Sequence, residues 1–242
     1  MRALVTGASR GIGRATALRL ARDGADLAVH FQSHGSEAQA VVDEVLRLGR
    51  EAFTLQGDLS DLTSIPALAD EIESRWDTVD VLVHNGGTYP RKSFTETADS
   101  DFEEQLRMHV VGPASLTRQL LPLLKRSASG RIIFVSSRLA YDGSRHGSPY
   151  ATAKAAQIGL ARSLALELAP GITVNVVAPG SIDTAILSGD SPEQRSERAC
   201  QIPLQRIGTA DEVAAVIAFL ASPSASYITG TTVPVNGGYR MG

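Results

Sequence analysis

Two periodicities alternate along this chain. Short apolar runs, of the length and composition that a strand buried on both faces requires, fall at Ala3–Thr6, Asp26–Phe31, Ala52–Gln56, Val79–His84, Arg131–Val135, Thr173–Ala178 and Thr232–Val235. Between them lie longer stretches whose apolar residues recur at helical spacing: Arg14–Asp23, Ser36–Leu48, Asp61–Trp76, Phe102–Leu124, Tyr150–Leu168 and Ala210–Ala221. Strands alternating with helices at this spacing predict a parallel sheet with right-handed crossovers and helices on both faces. The last long helix has a readable start in Thr209-Ala210-Asp211-Glu212, a capping-box pattern. One stretch breaks the rhythm. Gly180–Gly208 is polar and interrupted by Pro192 and Pro203, which reads as a substrate lid over about residues 181–208. No repeat or Pro/Gly-rich linker divides the chain, so a single domain over residues 1–242 is expected.

Composition narrows the class. Aromatic residues make up 5% of the chain against 43% hydrophobic, so the core must be built mainly from Ala, Val, Ile and Leu. A formal net charge of −3, with no long run of one sign, argues against nucleic-acid or membrane-surface binding. No stretch approaches the roughly 18 apolar residues of a membrane span. The one cysteine, Cys200, can form no internal disulfide, and a strand beginning at Ala3 leaves no room for a signal peptide before it. A cytoplasmic location is expected.

The turn after the first strand reads Thr6-Gly7-Ala8-Ser9-Arg10-Gly11-Ile12-Gly13. Glycines there permit a tight turn and let backbone N–H groups approach a pyrophosphate, which a helix N-terminus also attracts. The Gly-x-x-x-Gly-x-Gly spacing is one residue longer than the common dinucleotide fingerprint. An NAD site usually carries an acid about 20 positions on, bonding the ribose 2′-hydroxyl. Here the second strand runs into Gln32-Ser33-His34 and no acid appears before Glu37. Arg10 and Ser33, with His34 assisting, instead suit a 2′-phosphate, so NADP(H) is the expected cofactor, with NAD(H) the alternative.

Tyr150 and Lys154 are four residues apart on a predicted helix and therefore share a face. A phenol titrates near about 10, and a neighbouring ammonium favours the phenolate and lowers that value. Ser136-Ser137 ends the strand upstream, and a hydroxyl there is placed to hold a carbonyl oxygen beside the phenol. Such a site transfers protons without a metal.

These motifs recur in a fixed order: Thr6-Gly7-x-x-x-Gly11-x-Gly13, Asp58-Leu59, His84-Asn85-Gly86-Gly87, Ser137, Tyr150-x-x-x-Lys154, Asn175-x-x-x-Pro179-Gly180 with Thr184, and Asn236-Gly237-Gly238. Over nearly the whole chain the set resembles the short-chain dehydrogenase/reductase family in its compact single-domain branch, in general character the 3-oxoacyl-[acyl-carrier-protein] reductases. The resemblance implies an α/β, Rossmann-type doubly wound fold with a seven-stranded parallel sheet, usually assembled as a homotetramer. It implies that Gly7, Ser9, Arg10, Gly11, Ile12 and Gly13 form the phosphate turn, and that Asp58 contacts the adenine with Leu59 beside it. Asn85 and Gly86 would shape the pocket below the cofactor. Pro179, Gly180, Ile182 and Thr184 would hold its nicotinamide end. Ser137 would hold the substrate oxygen, Tyr150 would exchange its proton, and Lys154 would bond the nicotinamide ribose and depress the Tyr150 pKa.

Two positions depart from the family pattern. Gly86 stands where the family usually has Ala, a mild change. His109, in Arg107-Met108-His109-Val110-Val111-Gly112, stands where the family has an asparagine that connects the lysine to water. A histidine both donates and accepts, so His109 is either a member of the proton relay or a core histidine.

The resemblance implies a small carbonyl compound or alcohol as substrate. Tyr89-Pro90-Arg91-Lys92, Arg138, Tyr141, Arg145-His146 and the lid are expected to flank its pocket, and the basic residues among them suit an anionic molecule. Two arginines that acyl-carrier-protein reductases present to their carrier are not in register: one position holds Pro170, and Lys125-Arg126 lies beside the other. Two further readings stay open: an NAD-dependent sugar, polyol or other alcohol dehydrogenase, and a nucleotide-binding regulator without turnover. Retention of Ser137, Tyr150 and Lys154 speaks against the regulator.

Overall fold

The computed structural model describes residues 1–187 and 189–241, with Ile186 described through its backbone alone. Seven strands pair in parallel: β1 (Arg2–Val5), β2 (Asp26–Phe31), β3 (Ala52–Gln56), β4 (Val81–His84), β5 (Gly130–Val135), β6 (Ile172–Pro179) and β7 (Thr232–Val235). Their order across the sheet is β3-β2-β1-β4-β5-β6-β7. Val5 of β1 pairs with Val29 on one side and Val83 on the other. The strand order reverses there, and in sheets of this kind ligands bind at that reversal, beyond the carboxyl ends of the strands.

Each strand alternates its side chains between two apolar layers. Val5, Val29, Val83, Ile133 and Val177 face one layer, completed by α1 (Gly11–Arg22), α2 (Gly35–Arg47) and α9 (Ala210–Ala221). Leu4, Leu82, Ile132, Phe134 and Val176 face the other, completed by α3 (Ile65–Glu73), α5 (Gly112–Arg126) and α7 (Ser148–Leu168). Full burial of such a Leu or Ile side chain contributes about 1.5–3 kcal/mol. The two layers hold the loops at the strand ends in fixed places. Among the described residues, no helix is long and apolar enough to cross a membrane.

The predicted strands and the capping box are present: Thr209 Oγ1 accepts from Glu212 N at 3.3 Å, and a Glu212 carboxylate oxygen accepts from Thr209 N at 2.8 Å. Two expectations need correction. The long helix read over 102–124 is broken into α4 (Asp99–Leu106), a wide π-helical turn (Arg107–Val111) and α5. A Cβ on Gly112 would lie 2.0 Å from the Leu59 carbonyl oxygen, so a glycine lets the turn press against the loop after β3. The polar stretch after β6 is not plain loop. It contains α8 (Pro192–Cys200), whose Pro192 stands at a helix start rather than breaking one. Ser191 caps it, accepting from Gln194 N at 3.3 Å. An isolated Ile182–Gly208 bridge closes the ends of this excursion, of which Ser188 lies outside the described residues.

Candidate active site

The glycine turn lies at the reversal point. Gly7 has φ +62°, and a Cβ there would sit 2.6 Å from Gly86 Cα, so both conformation and close approach demand glycine. Thr6 Oγ1 accepts from Asn85 N (2.9 Å) and Gly86 N (3.0 Å), while Asn85 Nδ2 donates to Thr6 O (3.0 Å) and Gly7 O (3.2 Å). The ends of β1 and β4 are thereby laced together. From below, Gly7 N donates to Nδ1 of buried His30 at 3.3 Å. Burial pushes the His30 pKa down to about 4, so the ring stays neutral and Nδ1 remains an acceptor.

A cavity of about 480 Å³ opens beside this turn. Of the residues expected to bind the cofactor, Gly7, Ser9, Arg10, Gly11, Ile12, Ser33, Asp58, Leu59, Asn85, Gly86 and Thr184 line it. Gly13 does not. A Cβ there would lie 2.1 Å from Gly7 O, so Gly13 packs α1 against the back of the turn. Arg10, Ser33 and His34 are all in the lining, with Ser33 Oγ and His34 Nδ1 3.0 Å apart. Glu37 is outside the lining and accepts from Ser36 at 2.9 Å. Asp58 Oδ1 accepts from Ser60 N (2.8 Å) and Ser60 Oγ (2.7 Å), which fixes the carboxylate at the cavity wall.

A second cavity of about 490 Å³ shares Ile12, Asn85 and Thr184 with the first and holds Ser137, Tyr150, Lys154, His109, Pro179, Gly180 and Ile182. β5 delivers the serines. Ser136 Oγ donates to Lys154 O (2.7 Å), which anchors α7, and Ser137 Oγ accepts from Leu139 N (3.1 Å). Ser137 also hydrogen-bonds the Tyr150 phenol. The charge relation between Tyr150 and Lys154 differs from expectation. Lys154 Nζ donates to Val135 O at 2.8 Å and stands 5.6 Å from the Tyr150 ring centre. Burial dominates both groups, raising Tyr150 to about 12 despite the Ser137 bond and lowering Lys154 to about 7. In the protein alone, the ammonium therefore does not depress the phenol.

His109 is buried on the π-helical turn, its ring edge-on to Tyr150 with centres 5.4 Å apart. Its Nε2 donates to Thr88 O at 3.2 Å, and its backbone oxygen accepts from Gln157 Nε2 at 2.7 Å. A carbonyl can only accept, so Nε2 carries the proton and Nδ1 has a free lone pair, buried without a partner among the described residues. Burial first and the Lys154 charge second hold its pKa well below the ordinary value. The ring also explains a glycine. A Cβ on Gly87 would fall 2.0 Å from His109 Cε1, whereas one on Gly86 would approach Gly7 N only to 3.3 Å. The substitution at Gly86 is thus mild, and the requirement for glycine sits one residue later.

Tyr89 packs against Tyr150 with the rings tilted at 45° and their centres 4.6 Å apart, and shares a 2.7 Å hydrogen bond with Ser144, while Arg91, Arg138, Arg145 and His146 line the same cavity. Lys92 and Tyr141 do not line it: Lys92 pairs with Asp101 at 2.6 Å, and Tyr141 lies under the Arg240 guanidinium at 4.6 Å. Sequence reasoning missed the C-terminal segment, where Tyr239 hydrogen-bonds Gln201 at 2.5 Å and Arg240 reaches Asp142 at 2.8 Å. Within the stretch expected as a lid, it did not single out Arg198, which α8 brings to the cavity wall. No motif marks either, because both depend on how distant segments close.

The chain order, sheet order and cavities at the strand reversal are those of the doubly wound α/β class. A family model described as enoyl-(acyl carrier protein) reductase matches residues 7–240. The chain is 39% identical over 240 residues to the 3-oxoacyl-[acyl-carrier-protein] reductase FabG of Staphylococcus aureus, covering 99% of this chain and 98% of the relative. Among solved structures it is similar to a short chain dehydrogenase from Burkholderia cenocepacia in complex with NADP, at TM-score 0.92 and 38% identity over 98% of this chain and 97% of that one. It is also similar to the angucycline C-6 ketoreductase LanV with bound NADP, at TM-score 0.92 and 32% identity over 100% of this chain and 96% of that one. The chain belongs to the short-chain dehydrogenase/reductase family of oxidoreductases.

Proposed function

We propose that the protein is an NADP(H)-dependent reductase that interconverts a ketone, 3-oxoacyl groups included, with a secondary alcohol. The observation that carries this is the convergence of two hydroxyls, Ser137 and Tyr150, in the cavity that adjoins the glycine turn. Two hydroxyls directed at one acceptor suit a carbonyl oxygen, which favours carbonyl reduction over the carbon–carbon double bond reduction in the family model's description.

The residues present fit a dinucleotide. A Cβ at Gly7 would fall 2.6 Å from Gly86 Cα, so the turn there must be glycine, and Arg10, Ser33 and His34 line the cavity beyond β2 while Glu37 does not. Gly7, Ser9, Gly11 and Ile12 would hold the phosphates, Arg10 and Ser33 the 2′-phosphate, and Asp58 and Leu59 the adenine. Asn85, Pro179, Gly180, Ile182 and Thr184 would frame the nicotinamide end. NADP is the molecule bound in the Burkholderia and LanV structures. When bound, the reduced cofactor supplies hydride to the carbonyl carbon.

The chain's own residues do the rest. Ser137 positions the substrate oxygen and Tyr150, protonated at neutral pH by its raised pKa, donates to it. Lys154 would hold the nicotinamide ribose. His109 Nδ1, a buried lone pair without a partner among the described residues, would accept from a water that replenishes the proton through Lys154. The segment over 181–208 would close the substrate side as a lid, and assembly as a homotetramer in the cytoplasm belongs to the same proposal.

The test is a panel of ketones, 3-oxoacyl thioesters, alcohols and polyols with NADPH, NADP, NADH and NAD, followed at the cofactor absorbance. Ketone-dependent NADPH oxidation supports the reading. Cofactor binding without turnover anywhere in the panel would instead favour a regulator.

A further inference from the structure

We propose that the substrate carries an anionic group, a carboxylate or a phosphate, several bonds from its reacting carbonyl, and that Arg91, Arg145 and Arg198 hold that group. The proposal rests on the reading of Tyr150 as the proton donor to a carbonyl.

Four guanidinium groups line the cavity around Tyr150, Arg91, Arg138, Arg145 and Arg198, and Asp142 is the one carboxylate among its described lining residues. That carboxylate is already shared, by Arg138 at 3.0 Å and Arg240 at 2.8 Å. Arg138 is further pinned over the Tyr239 ring at 3.8 Å, so it belongs to the junction with the C-terminal segment. Behind the wall, Asp190, its side chain only 6% exposed, is shared in the same way, by Arg198 at 2.5 Å and Arg91 at 3.7 Å. Arg145 has no hydrogen-bond or ion-pair partner among the described residues. The whole chain is acidic, at −3, so an excess of cations here is local.

Position agrees with charge. Arg91 lies 5.4 Å from the centre of the Tyr89 ring, whose centre is 4.6 Å from that of the Tyr150 ring in a tilted contact. Tyr89 also bonds Ser144, the neighbour of Arg145. The cations therefore sit one aromatic ring beyond the proton donor, where the far end of a substrate would reach. Asp190 holds Arg91 and Arg198 in place beforehand, leaving their outward N–H groups to make charge-assisted bonds to an entering anion.

The experiment compares matched ketones with NADPH as reductant: oxo-carboxylates of increasing chain length against their methyl esters, and phosphate-ended ketones against their free alcohols. The expected result is a kcat/KM at least about tenfold higher for the charged member of a pair, carried mainly by KM and weakened by added salt. Arg145→Ala collapses that ratio, and Arg145→Lys restores part of it. Preference confined to the carboxylate pairs or to the phosphate pairs says which anion is read, and either supports the proposal. Turnover in which the neutral members equal or exceed the charged ones overturns it while leaving the carbonyl-reductase reading intact. Failure of every ketone to turn over, with NADPH still bound, overturns both.

Discussion

The two cavities are built from different materials. The one beside the glycine turn is made by backbone: Gly7 at φ +62°, an Asn85 amide laced to Thr6 and Gly7, and strand ends fixed by the sheet. The one around Tyr150 is made largely by side chains gathered from the loop after β4, the loop after β5, α7, the stretch after β6 and α8. Backbone geometry admits few sequences, so the first cavity suits one ligand that does not vary. Side chains on loops exchange freely on a fixed scaffold, so the second can be fitted to a particular substrate.

Substitutions break this contrast in graded ways. Gly13→Ala is expected to do the most damage on the backbone side, because its Cβ would lie 2.1 Å from Gly7 O. Overpacking of this kind costs about 1–3 kcal/mol or more, and calorimetry with a cofactor titration should show a lowered Tm and NADPH affinity reduced by roughly a hundredfold. Arg10→Ala touches only a side chain of that cavity. NADPH affinity should fall about tenfold with NADH affinity nearly unchanged, read by fluorescence titration of both.

His109 bridges the two regions. His109→Asn should retain most turnover, whereas His109→Ala should lower kcat several-fold with cofactor affinity maintained; equal rates for both variants would make the ring a packing residue. Because His109 is held neutral, neither variant should shift a pH–rate inflection near 6.5.

Acid stability gives the mildest probe. Burial lowers His30 to about 4 and His84 to about 3. Between those values and 6.5 the unfolded chain binds protons that the folded protein refuses, so this stability is present above pH 6.5 and lost as pH falls through 4 and 3. Lys154, lowered to about 7, acts in another window: stability rises as pH climbs from 7 toward 10.5. His84→Gln should flatten the acid limb of a Tm-against-pH curve and leave the alkaline limb unchanged.

Legibility in the sequence follows the same division. Strand–helix alternation and glycine spacing are local signals, and they identify the sheet and the turn, whereas Asp58, Leu59, Asn85 and Thr184 enter only through the family resemblance. Pro192 and the polar residues after it conceal α8, since nine residues with hardly an apolar face look like loop until Ser191 is recognised as a cap. The division of residues 102–124 around a π-helical turn is equally hidden, because it answers to the Leu59 carbonyl far away in sequence. The raised Tyr150 pKa is hidden as well: sequence places a lysine four residues on, but burial and the Val135 carbonyl decide where its ammonium points.

The central claim is that Tyr150 donates the proton from a cavity whose neighbour holds NADPH. The direct test is Tyr150→Phe, measuring ketone-dependent NADPH oxidation and NADPH affinity on the same preparation. Turnover lowered by about 10²–10⁴-fold or more, with affinity within about twofold of the parent, is the predicted result. Turnover that survives loss of the phenol would contradict it.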